Sequence, residues 1–105
     1  MADSTSNSID LGAMSIEHNA DQQRFVSVLD EEGREAVVTY RLMDGKMGIT
    51  HTGVPPRYRR QGIAGRMVER ALQHARSNDL TVVPYCSYVA HYINEHPEHK
   101  SLLKK

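Results

Sequence analysis

The run Arg59-Arg60-Gln61-Gly62-Ile63-Ala64-Gly65 places two cations directly before three small residues. That combination suits a phosphorylated ligand. Small side chains let a phosphate approach the backbone, and a helix opening here would add unpartnered N–H groups and a partial positive charge. Arg57 and Arg66 bring further charge to the same place. A diphosphate is the natural ligand for such a turn. Other residues carry different chemistry. The single cysteine, Cys86, is either a nucleophile able to accept an acyl group or a small buried apolar residue. His51 offers an imidazole, which works as a general base near neutral pH or as a structural hydrogen-bonding group across a sheet. Tyr88 and Tyr92, one helical turn apart, could give up protons as general acids or pack their helix onto a sheet. His91, His96 and His99 do not read as metal ligands, because Pro97 breaks their helical face and no cysteine cluster supports them.

The elements that must hold these residues follow from periodicity. Phe25, Val26, Val28 and Leu29 precede a polar cluster, Asp30-Glu31-Glu32-Gly33, that reads as a turn. Ala36, Val38, Tyr40 and Leu42 alternate with Val37, Thr39 and Arg41, the period of a half-buried strand. Asp44-Gly45 is a hairpin turn, because both residues tolerate positive φ. Residues 46–54 return as a third strand with Met47, Ile49 and His51 on one face, and Pro55-Pro56 ends it. Ile63, Ala64, Met67, Val68, Ala71, Leu72 and Ala75 then form one helical stripe that stops near Asn78. Residues 80–83 make a short strand closed by Pro84, and residues 87–96 a second helix ended by Pro97. The order is β-β-β-α-β-α, an antiparallel meander followed by a βαβ unit in a mixed α/β (α+β) sheet.

With those elements in place, Arg59-Arg60-Gln61-Gly62-Ile63-Ala64 resembles the pyrophosphate signature of the GNAT acetyltransferase superfamily. His51-Thr52-Gly53-Val54-Pro55 and Val83-Pro84-Tyr85-Cys86-Ser87-Tyr88 match blocks of its short, single-domain N-acetyltransferase members. The resemblance spans residues 40–99. It implies acetyl-CoA as cosubstrate, with the pyrophosphate on the amides of Arg60, Gln61, Gly62, Ile63, Ala64 and Gly65 behind Arg59. It also implies a pantetheine arm between two splayed strands, past Val54 and residues 82–85, so that the thioester lies beside Cys86. An amide near Val54 would polarise the thioester carbonyl, and His51 would take the proton of an amine acceptor. Two departures stand out. Larger relatives carry a strand and two helices before the meander, which build the acceptor pocket, and residues 1–23 show little helical periodicity. No Glu lies on the third strand to act as base.

The bulk numbers bound the rest. At 105 residues there is room for one domain. Composition marks 1–15 as a flexible tail, and the resemblance implies that 16–105 form a minimal acetyltransferase-like domain. Thirteen basic and thirteen acidic residues balance to zero net charge, and there is no Trp and one Phe, which argues against a nucleic-acid partner. No apolar run reaches the about 20 residues that span a bilayer, and no basic patch leads into an apolar stretch as in a secretory signal. With one cysteine, a reducing cytoplasm is the expected setting. The reading is an acetyl-CoA-binding N-acetyltransferase acting on an amine, possibly of a protein or peptide. A non-catalytic acyl-CoA-binding or sensing module is the alternative. The acceptor and the oligomeric state are not specified by the sequence.

Overall fold

Alternation of apolar residues gives four antiparallel strands rather than three. The structure, a computed structural model, describes residues 8–103. β1 (Glu17–Asn19), β2 (Arg24–Val28), β3 (Glu35–Met43) and β4 (Lys46–Gly53) form a meander, and β5 (Thr81–Pro84) joins β4 in parallel. Strands lie side by side in chain order. Phe25 and Ser27 on β2 and Ala36, Val38 and Tyr40 on β3 are buried on one face, as the two-residue period requires. Asp44 and Gly45 have φ of 55° and 76°, the turn whose twist matches a hairpin.

α1 (Ile63–Ser77) lays the expected stripe of Ile63, Met67, Val68, Ala71, Leu72 and Ala75 on that face. α2 (Ser87–Glu95) and a 3-10 stretch, Pro97–Leu103, pack beside it, adding Val89, Ile93 and Leu102 to the core. The other face of the sheet carries no helix among the described residues. No α-helix precedes β1 among them either.

Three features differ from the sequence reading. β1 and the closing 3-10 stretch are too short to show a period. Of the residues read as a tail, 1–7 lie outside the described residues, and three apolar side chains of residues 8–15 reach the core. Ile9, Leu11 and Met14 lie against the core, a 3-10 turn forms over Leu11–Ala13, and the Ile9 amide donates to Gln61 Oε1 at 2.8 Å. Scattered apolar residues without a period suffice here because one neighbouring surface receives them. The third difference is a β-bulge. Thr39 pairs with His51 but Tyr40 pairs with Ile49, so Thr50 is an extra residue. It reverses the alternation. Met47 and Ile49 face the helices, Thr50 and His51 are exposed, and Thr52, opposite buried Val38, turns back toward the helices. The expectation that His51 shares a face with Met47 and Ile49 is thereby corrected.

Candidate active site

The site begins where β4 and β5 part. Their pairing runs only from Lys46 opposite Thr81 to Ile49 opposite Pro84, followed by one bond from the Cys86 amide to the Ile49 carbonyl at 3.0 Å. β4 continues to Gly53 held by β3 alone, so from Thr50 onward its outer edge faces a gap. The parting therefore lies a full four residues before the strand end, and the bulge bends β4 at the same point.

At the head of the gap the chain turns through residues 54–62. Arg60 has φ 67° and Gly62 φ 88°, while Gln61 between them is not left-handed. A backbone that is left-handed at two positions so close together can turn N–H groups toward one side, a geometry that receives anions. Glycine adopts this φ without a steric cost at Gly62. α1 starts at the next residue, with no side chain capping it and no acidic residue in its first turn. Arg59 and Arg60 are exposed, and Arg59 Nε donates to the Val54 carbonyl at 3.1 Å. Ile63 is buried, so it offers the site only its backbone. Ala64 and Gly65 are half-buried. A Cβ on Gly65 would meet the Tyr88 hydroxyl and the Tyr92 ring, each at 3.4 Å. The Tyr88 hydroxyl thus lies over the first turn of α1.

Cys86 occupies the residue before α2, and its Sγ–H donates to Thr52 Oγ1 at 3.7 Å. Burial pushes the thiol up. The Val89 amide, the Thr52 hydroxyl and the amides of Tyr88 and Thr52 outweigh that and hold it below the usual thiol value. Tyr92 has another commitment: its hydroxyl donates to Glu69 Oε1 at 2.6 Å, and burial together with that bond raises its pKa far above an ordinary phenol. Burial also raises Tyr88. The same Glu69 oxygen accepts from His99 Nε2 at 2.8 Å, while His99 Nδ1 faces Arg76 Nη2 at 3.0 Å. A guanidinium only donates, so Nδ1 is the acceptor and the buried His99 carries its proton on Nε2. Burial alone would raise Glu69, but hydrogen bonds from Tyr92, His99 and Gln73 lower it. This network ties α2 and the 3-10 stretch to α1.

The structure thus gathers Cys86, Tyr88 and Tyr92 with Gly65 on the helix-covered side of the gap. His51 lies on the bare face, where a Cβ on Gly53 would come within 3.0 Å of its Nε2. The remaining histidines go separate ways: His96 Nδ1 donates to the Tyr92 carbonyl at 2.8 Å, and His91 lies 3.5 Å from Glu95. Among the described residues no three His, Cys, Asp or Glu are placed to hold a metal ion. Thr52, Glu69 and Tyr58 take part in the architecture of the site without having been singled out from sequence. Thr52 was hidden by the bulge. Glu69 falls off the apolar stripe of α1, so no period marks it.

The chain is similar to known proteins in sequence and in fold. Residues 24–102 match the family model described as GCN5-related N-acetyl-transferase. Protein NATD1 of Mus musculus is 30% identical over 82% of this chain and 79% of its own length. Protein NATD1 of Xenopus tropicalis is 29% identical over 92% and 91%. A GCN5-like protein from Staphylococcus aureus, solved in solution by NMR, superposes with a TM-score of 0.67 and 27% identity, covering 84% of this chain and 85% of that one.

Proposed function

Because this chain belongs to the GCN5-related N-acetyltransferase family, we propose that it binds acetyl-CoA at residues 59–65 and passes the acetyl group to an amine, of a protein or peptide. The observation that carries this reading is the turn at residues 60–62, left-handed at Arg60 and Gly62, which opens directly into the uncapped start of α1. A diphosphate needs several donors. Amides of such a turn can converge on one ligand, and Arg57, Arg59 and Arg60 stand exposed around it. Below it, the unpaired edge of β4 is a length of extended backbone suited to a linear arm with amide groups.

The cosubstrate supplies an activated thioester; the chain supplies position and protons. An amide near Val54 stabilises the charge that develops on the carbonyl oxygen. The C–N bond forms as the thioester C–S bond breaks. His51 takes the amine proton from the bare face, and Tyr88 gives its own to the departing thiolate. The raised pKa of Tyr88 keeps that proton in place at neutral pH. Tyr92, held by Glu69, fixes α2 so that Tyr88 keeps its place. A variant of this route is favoured by the lowered Cys86 thiol: Cys86 accepts the acetyl group first and then yields it to the amine. A free thiol of this kind fits a reducing cytoplasm. The bare sheet face favours the second reading, a module that binds acyl-CoA without turning it over.

Gly62→Glu tests the site. A side chain there is strained at φ 88° and would press on Leu11 Cδ1, 3.2 Å from the Cβ position, while its charge repels a phosphate. The folded variant should show no calorimetric binding of acetyl-CoA where the wild type binds. Equal affinity would refute the placement.

A further inference from the structure

Arg60 is a non-glycine residue held at φ 67°, a strained conformation that persists only where its surroundings impose it. The flanking residues are pinned. Two positions earlier, Tyr58 is 2% exposed and its hydroxyl donates to Asp30 Oδ2 at 2.7 Å. One position later, the Gln61 side chain accepts the Ile9 amide. Asp30 is itself immobilised: Oδ1 accepts the amides of Glu32 and Arg34 at 3.0 and 3.1 Å, and Oδ2 also accepts Arg34 Nη1 at 2.9 Å. Both oxygens are therefore fixed by the β2–β3 turn before Tyr58 arrives. The Tyr58 hydroxyl, then Arg34 and the turn amides, hold the Asp30 carboxyl well below the usual carboxylate range despite the opposing effect of burial. It is ionised, and a strong acceptor, at any pH near neutral.

We infer that Tyr58 and Asp30 are positioning residues for cofactor binding: their bond anchors the loop before α1 to the β2–β3 turn and so holds Arg60 left-handed, aiming the amides of residues 60–62 at the pyrophosphate. This rests on the acetyl-CoA site proposed above. Tyr58 and Asp30 touch no part of the ligand in this account. They act through the shape of the backbone two residues further on.

The test uses calorimetric titration with CoA beside thermal melting. Tyr58→Phe keeps the buried ring and removes only the hydroxyl; Asp30→Ala removes the acceptor; Asp30→Asn keeps an acceptor without the charge. Loss of a hydrogen bond to a charged group predicts CoA affinity about tenfold weaker in Tyr58→Phe and Asp30→Ala, and about threefold weaker in Asp30→Asn. Leu72→Val, a core change in α1 away from the loop, is the control for general destabilisation and should bind CoA as the wild type does. Variants that bind like the wild type, or a control that loses affinity to the same degree at a similar melting temperature, overturn the inference. A wild-type protein that does not bind CoA overturns the proposed site and the anchor together; a wild type that binds beside unaffected variants overturns the anchor alone.

Discussion

Cys86 has donors on several sides, from Thr52, Tyr88 and Val89, and the net effect favours its thiolate. Acetyl-CoA incubated with the protein in the absence of an amine should therefore leave one acetyl group on Cys86, seen by intact-mass and peptide spectra. No adduct, together with full activity in Cys86→Ala, would reduce Cys86 to packing. Its place beside the gap was legible, because Pro84 had to end the strand just before it. Its partner was not. Thr52 reaches the covered side only because Thr50 bulges, and nothing in a run of Thr, His and Thr announces an extra residue. The same bulge carries His51 to the bare face. Tyr92 was weighed between proton donor and packing residue, and its hydroxyl bonds Glu69, twenty-three positions away. A pairing at that separation leaves no local pattern to read.

Among the elements, the meander, α1, β5 and α2 were legible because each repeats a period or ends at Gly, Asn or Pro. β1 was not, since a three-residue strand is held by contacts rather than by pattern. His18 on β1 bonds the Tyr40 hydroxyl, stacks on Phe25 at 4.2 Å and meets His74 of α1 edge-on at 4.4 Å. Arg70 lies over the same Phe25 ring at 5.3 Å. Burial lowers the pKa of both histidines, with His74 and Arg70 adding to it at His18 and Arg70 at His74. The folded state thus binds fewer protons than the unfolded state, whose histidines titrate near 6.5. The stabilisation is present above that value and is lost as pH falls through the lower folded values. Melting temperature should drop between about pH 7.5 and pH 5.5, and the His18→Phe, His74→Leu double variant should flatten that drop. An equal slope in both proteins would contradict this account of β1 docking.

At the scale of the whole molecule, every helix of the described residues lies on one face of a five-stranded sheet. The bare face, from which the proposed acceptor would approach, is consequently open along β3 and β4. Small ligands bind tightly when most of their surface is enclosed, so small free amines should be weak acceptors beside peptide amines. A substrate screen run with a measurement of molecular mass in solution checks this, and a monomer that acetylates one small amine with micromolar KM would contradict it. No helix among the described residues is long and apolar enough to cross a membrane. The central claim, that the turn before α1 is the acetyl-CoA site, is tested most directly by titrating CoA into nitrogen-15-labelled protein and following each backbone amide. The account predicts the largest shifts at Arg60, Gln61, Gly62, Ile63, Ala64 and Gly65, with a second set at Thr52, Gly53 and Val54 along the unpaired edge of β4. Saturable shifts confined to other parts of the molecule, or none at all, would contradict it.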